Sequence, residues 1–452
     1  MTENSLASEL RRDFHGALIA PGDAEYDEAR RIWNGMIDRR PALIAQCGGT
    51  ADVVAAVNFA RKKGLAVAVR GGGHNVSGNA VCDGGIVIDL RPMKRVTVDP
   101  DRRLARAEGG VTWREYDRET QRHGLASPGG AISTTGIAGL TLGGGFGWLS
   151  RSYGLACDSL VAAELVTAKG EVLTASDREN PDLFWGLRGG GGNFGVVTRF
   201  EYRLYPVGDL YAGLILYPRS EAGAFLRMFA DLTAGAPEEL STMAALLSTP
   251  DGDPAVGAFC VYNGPRPAGE RALAPVRAFG TPLLDDVGLK PYTDVQQAFD
   301  AGFPAGKRNY WKSSFLAALE PGCTDTLVGC ANRAPSPLCV VGIEHMLGGA
   351  VARVGADATA FDTRDADYNL LLLGMSDDPE MDAAIKDWAR EGWQQVQPYA
   401  TGAVYVNYMD ADEADRITDA YGSSHYARLV ALKKRYDPDN LFRLNQNIDP
   451  AT

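Results

Sequence analysis

Basic residues are in the minority: 45 Lys and Arg stand against 57 Asp and Glu, giving a formal charge of −12. The acidic residues are spread along the chain and no basic stripe breaks them, so nothing in the charge pattern draws the protein to nucleic acid or to an anionic membrane. Long apolar runs are missing too. No stretch approaches the roughly 18 residues of a transmembrane helix, and the N-terminal MTENSLASELRRDFHGALIA lacks the apolar core of a secretory signal. The expected location is the cytoplasm, and the expected partner a small molecule. The seven cysteines, Cys47, Cys82, Cys157, Cys260, Cys323, Cys330 and Cys339, are odd in number and show no CxxC spacing. That excludes a disulfide framework or a structural zinc site and leaves buried thiols. There is no GKS or GKT for a phosphate loop, no HExxH, and no GxSxG context for a serine hydrolase. No metal site is expected.

What is present fits a large soluble chain. Hydrophobic residues make up 45% and charged residues 23%, values ordinary for globular proteins. The 452 residues exceed a single core, which rarely grows past about 250–300 residues, so a seam is expected. From Pro41 to about Tyr205, short β-rich runs alternate with helical ones. ALIAQC reads as a strand and TADVVAAVNFARKKG as an amphipathic helix capped by Thr50 and stopped by Gly64. AVAVRGGG and GGIVIDL are further strands. Between about Val207 and Ala400 the glycine thins out and longer strand-like runs take over, among them LYAGLILYP, NYWKSSFLAAL and YNLLLLGMSD, with helical segments between them. The end of the chain returns with AVYVNYMD, read as a strand, and a helix that stops before Asp437-Pro438.

Glycine is concentrated in four places: Gly71–Gly73, Gly129–Gly130, Gly136–Gly147 and Gly189–Gly195. Glycine is costly to order, so four clusters in one region imply backbones that bend sharply or approach something closely, and a dinucleotide pyrophosphate is the usual something. Gly190, Gly192 and Gly195 satisfy GxGxxG, but VVTRFEYRLYP follows them as a strand. A Rossmann site needs a helix there, so that reading fails.

RGGGHN, GIAGLTLGGGFGWLSRSYGLACD, LFWGLRGGGGNFGVVT and the C-terminal YVNYMD with DPDNLFRLNQNI occur in order between about Ala42 and Pro450. Together they resemble the berberine bridge enzyme-like flavoproteins of the vanillyl-alcohol oxidase and p-cresol methylhydroxylase superfamily. The resemblance implies an α+β fold. A two-part FAD-binding domain, residues 1–206 and 403–452, would surround an inserted substrate domain, residues 207–402, built on an antiparallel sheet backed by helices. It implies that His74 bonds the flavin 8α carbon, a role suited to a neutral, nucleophilic imidazole. Around it, cofactor contacts are implied for Arg70, Gly71, Gly72, Gly73 and Asn75. Further contacts are implied for Gly130, Thr135, Gly136, Gly139, Gly143 and Gly144, for Gly195 and Val197, and for Tyr405 and Asn407. Members with a second, cysteinyl link carry a cysteine where this chain has Ile132, so that link is expected to be absent. Thr135, just before Gly136, occupies a position tied to oxygen access.

The reaction so implied is hydride transfer from an alcohol, sugar or secondary metabolite to flavin N5, with dioxygen as acceptor and peroxide as product. A quinone-linked dehydrogenase and a flavoprotein without turnover remain as alternatives. By resemblance Tyr408 is the catalytic base. If Tyr405-Val406-Asn407-Tyr408 is a strand, Tyr405 and Asn407 share one face and Tyr408 takes the other. A tyrosine base needs a nearby positive charge, and Lys312 is the candidate. The glutamate that plant members place after a GG pair has no counterpart: Gly348-Gly349 leads to Arg353. His345 reads as a core histidine.

Overall fold

The computed structural model describes residues 3–452. Three large sheets carry the described chain, beside a two-stranded pairing of Leu125–Ala126 with Tyr205–Pro206. In the first, Ile86–Asp89 lies between Leu43–Gln46 and Val67–Arg70, parallel to both, with Ala17–Ile19 antiparallel at the edge. Ile86, Val87, Ile88 and Asp89 are all buried, as expected for a parallel strand covered on both faces. The second sheet is antiparallel, in the order Val96–Asp99, Leu104–Glu108, Val196–Arg203, Leu160–Val166, Val172–Ser176. The last glycine run therefore opens a central strand, which is why its GxGxxG spacing carries no Rossmann meaning.

The helix Thr50–Lys63 ends at Gly64, whose φ of 64° closes the C-terminus in the left-handed conformation, as read from the sequence. Its start differs. Gly49 is the cap residue and Thr50 is already helical, with its hydroxyl donating to Glu164 Oε1 at 2.8 Å. The side chain that serves this end is Asp52, which accepts from Gly48 N and His15 N, each at 2.8 Å.

The third sheet holds Leu210–Pro218, Leu240–Ser248, Pro254–Tyr262, Arg308–Leu316, Val340–His345 and Tyr368–Ser376, with two short edge strands, and all its pairs are antiparallel. The helices Ala222–Ala234, Arg266–Arg277, Pro321–Asn332 and Asp382–Val396 contribute to one apolar core with its backed face. The opposite face turns toward the glycine-rich half, where Phe146, Trp148, Met243, Phe259, Phe315 and Tyr405 share a core. This is the α+β arrangement expected, with a helix-backed antiparallel sheet. Among the described residues no helix is long and apolar enough to cross a membrane, and all seven cysteines are buried and free.

The C-terminal helix Ile417–Tyr436 stops before Asp437-Pro438, as expected, and packs into the same core as Phe184, Trp185 and Phe194. A fully buried ion pair turns the chain back there. Lys433 Nζ donates to Asp437 Oδ2 at 2.7 Å, to Asn193 O at 3.0 Å and to Phe442 O at 2.9 Å, while Asp437 accepts from Leu441 N at 2.8 Å and Phe442 N at 2.9 Å. Every charge-bearing atom is used, so removing either partner strands the other in the core. Asp437→Ala is expected to lower stability by about 3–5 kcal/mol, read as a fall in the denaturant midpoint; a change within about 0.5 kcal/mol would mean that water replaces the clamp.

Candidate active site

The Val67–Arg70 strand delivers the first glycine turn, and the loop before the helix Ile137–Leu142 delivers the second. They cross without a side chain between them. A Cβ on Gly72 would lie 2.4 Å from Gly136 N and 2.7 Å from Gly136 Cα, distances only glycine permits. The crossing opens a cavity with about 1620 Å³ of empty space, the open solvent at its mouth included.

Most of the residues singled out in the sequence meet in this wall. Gly71, Gly72, Gly73, His74, Asn75, Gly130, Thr135, Gly136, Gly139, Gly195, Val197, Tyr405, Asn407 and Tyr408 all line it, as does Ile132. Arg70, Gly143 and Gly144 do not. Arg70 is buried behind the turn, donating to the carbonyls of Ala80 and Ala29 and facing Asp89 at 3.8 Å. Gly143 makes room for the Asn407 amide and Gly144 for the Phe361 ring.

The C-terminal motif departs from the strand expected of it. Val406–Tyr408 is one turn of 3₁₀ helix, which gathers the side chains that a strand would separate. The rings of Tyr405 and Tyr408 meet edge to face at 4.9 Å, and both contact Phe146. Asn407 Nδ2 donates to Tyr405 Oη at 2.7 Å and to Leu140 O at 3.1 Å.

Lys312 does not serve Tyr408. Alternation along Arg308–Leu316 sends it to the helix-backed face, where Nζ pairs with Asp412 at 2.8 Å and Glu413 at 3.2 Å, while its neighbour Trp311 lines the cavity. The group that meets Tyr408 is a carboxylate: its hydroxyl donates to Glu344 Oε1 at 3.0 Å, and Asn369 Nδ2 donates to Glu344 Oε2 at 2.7 Å. Burial raises the Glu344 pKa to about 7 against the lowering effect of these two hydrogen bonds. Burial, then the charge of Glu344, push the Tyr408 hydroxyl well above its ordinary value. The acid that plant members carry after the GG pair is replaced by Arg353, and the acid that meets Tyr408 lies four residues before Gly348-Gly349, where the sequence alone did not mark it. Arg353 is an exposed partner of Glu238. The available signal was a lone glutamate inside the apolar strand run VVGIEH. His345 points to the other face, is held 3.2 Å from Arg151, and is neutral, its pKa lowered to about 3 by burial and then by Arg151.

His74 lines the same cavity. Its ring stacks on Trp33 with centroids 4.3 Å apart, and burial lowers its pKa to about 4, so at pH 7 the imidazole is neutral. The tail closes the cavity with Phe442, Leu444, Asn445 and Gln446. Asn445 lines this wall with its buried Oδ1 unpartnered, and Gly139 and Gly192 face open space. Together with apolar Val67, Val69, Leu90 and Val197, this wall fits a dinucleotide cofactor: flat apolar surface for the rings and bare backbone for the phosphates.

Residues 41–176 match the model of an FAD-binding domain, and residues 404–449 match the berberine and berberine-like model. The chain is 32% identical to an FAD-linked oxidoreductase of Dictyostelium discoideum over 98% of its own length and 97% of the other. The chain belongs to the berberine bridge enzyme-like FAD-linked oxidoreductases. It is similar to (R)-6-hydroxynicotine oxidase of Paenarthrobacter nicotinovorans, 33% identical with 96% and 97% of the two chains covered. A crystal structure of 6-hydroxy-D-nicotine oxidase from Arthrobacter nicotinovorans superposes with a TM-score of 0.90 at 33% identity, covering 97% of this chain and 98% of that one. A xylooligosaccharide oxidase from Myceliophthora thermophila gives a TM-score of 0.86 at 25% identity with full coverage of both chains. As a member of this family the chain binds FAD.

The glycine crossing is testable directly. Gly72→Ala forces backbone against backbone, and overpacking of this kind costs about 1–3 kcal/mol. The purified variant is expected to carry less than half the wild-type flavin-to-protein absorbance ratio, and full occupancy would show that the loops part freely.

Proposed function

We propose that this oxidoreductase holds FAD covalently through His74 and oxidises an alcohol, sugar or secondary metabolite, with Tyr408 as the base and dioxygen as the final acceptor. The observation that carries the reading is the presence, on the lining of one cavity, of a neutral histidine and a tyrosine that donates to a buried carboxylate. Bound there, FAD supplies the acceptor for a hydride and, through oxygen, the route to peroxide. The chain does the rest.

Tyr408 receives the substrate's hydroxyl proton and passes its own to Glu344 Oε1, 3.0 Å away. The transfer moves a proton between two neighbours and leaves one negative charge in the site throughout. That is why a phenol of raised pKa serves here: no isolated phenolate has to form. Asn369 holds the second oxygen of Glu344 and keeps the first one aimed at Tyr408. Trp311, Phe146 and Ile132 supply apolar wall to the cavity, and among the described residues none that lines it is Lys, Arg, Asp or Glu. Water exclusion strengthens each remaining dipole, and no lining side-chain cation is present to pair with a substrate carboxylate. Ile132 offers no sulfur, so His74 is the single covalent anchor.

Two measurements decide the reading. On acid denaturation the wild type is expected to keep a fluorescent flavin in the protein band and His74→Ala to release it; release from both sinks the covalent assignment. With a substrate found by peroxide screening of neutral alcohols, sugars and phenols, kcat is expected to rise with pH through about 7, because Glu344 accepts only when ionised. Glu344→Gln is expected to lose that limb and about 10²–10⁴-fold in kcat; an unchanged profile would remove Glu344 from the relay.

A further inference from the structure

Two neighbouring side chains hold the His74 ring. The Trp33 indole stacks on it, 4.3 Å between centroids and 20° from parallel, and the Thr134 hydroxyl lies 3.3 Å from Nε2. The last torsion of a histidine is intrinsically broad, so these contacts, and not the side chain's own preference, set the plane of the imidazole.

Trp33 is fixed in turn from several directions. Its backbone N–H donates to Gly73 O at 3.1 Å, and its carbonyl accepts from Gly306 N at 2.9 Å. Its indole N–H donates to Phe303 O at 3.0 Å, which satisfies the polar edge that a buried tryptophan must place. Its ring meets Trp311 edge to face at 5.5 Å. Asn34 continues the strap, donating to Val76 O at 2.7 Å and Asn309 O at 2.9 Å, and accepting from Asn309 N at 3.0 Å. Residues 33 and 34 thus tie the histidine turn to the sheet that carries Trp311. Neither belongs to any of the glycine motifs.

We propose that Trp33, seconded by Thr134, is a positioning residue for flavin attachment: it holds the His74 imidazole in the plane from which a ring nitrogen reaches the flavin 8α carbon. This rests on the covalent reading above. In that step the nitrogen–carbon bond forms while the imidazole N–H and one C–H of the 8α methyl are given up as two protons and two electrons. Dioxygen takes both pairs and leaves as hydrogen peroxide. Alignment matters because a misplacement of about 1 Å in such a reaction costs roughly 10²-fold.

The test compares the full-length wild type with Trp33→Phe, Trp33→Leu and Thr134→Val in saturating FAD. Two quantities are followed over time: total flavin bound, and the part that survives acid denaturation in the protein band. Trp33→Phe keeps an aromatic plane and is expected to attach flavin close to the wild-type rate. Trp33→Leu keeps bulk without the stack and is expected to slow attachment by about 10–100-fold at unchanged total binding, with Thr134→Val in between. Attachment by Trp33→Leu at the wild-type rate overturns the proposal. So does a parallel loss of bound and attached flavin in that variant, which would make Trp33 a wall of the cavity and nothing more. Absence of acid-stable flavin from the wild type fails the covalent reading itself and is distinguishable from either result.

Discussion

Two backbones pass at Gly72 and Gly136 closer than a single methyl group allows, and the rest of the site is arranged around that crossing. It presses the His74 turn against the loop that carries Ile132, Thr134 and Thr135. It also starts the helix Ile137–Leu142 at a height where Leu140 O reaches Asn407. Asn407 in turn holds Tyr405, whose hydroxyl accepts from Gly145 N at 3.1 Å. The order of dependence runs from bare backbone, to short helix, to the C-terminal turn, to Tyr408. Glycine contributes here through the side chain it lacks.

The histidine and the tyrosine obtain opposite things from the same environment. Burial keeps His74 uncharged at neutral pH and so leaves a lone pair for bonding. The same burial makes a free phenolate at Tyr408 expensive, and the site answers with a carboxylate whose own affinity for a proton is raised into the neutral range. An added lysine beside Tyr408 would lower the phenol's pKa by charge. The Glu344 arrangement matches two proton affinities instead.

Much of this was readable in the sequence where backbone chemistry is local. The stop at Gly64, the strand after Gly195 and the helix end before Asp437-Pro438 follow from φ preference and from proline's restriction of its neighbour. Four glycine blocks in a fixed order sufficed to mark the wall of the cavity. What escaped depended on tertiary facing. YVNYMD has strand composition, but Asn407 is drawn toward Leu140 O and Tyr405, and the segment coils. Lys312 and Trp311 are neighbours in sequence, and only sheet orientation decides which of them enters the cavity. Trp33 lies far along the sequence from every glycine block and carries no motif at all. Its role is visible only once its ring is seen on His74.

The clamp of Lys433 on Asp437 places residues 442–446 as the closing wall of a cavity whose other walls were synthesised much earlier. In the order of synthesis, the turn bearing His74 exists for most of the chain's emergence without the tail that covers it. The sheet bearing Glu344 and the turn bearing Tyr408 also come first. Enclosure of the cavity therefore depends on the helix that folds back on Asn193, and the N-terminal half alone leaves the wall of residues 442–446 open.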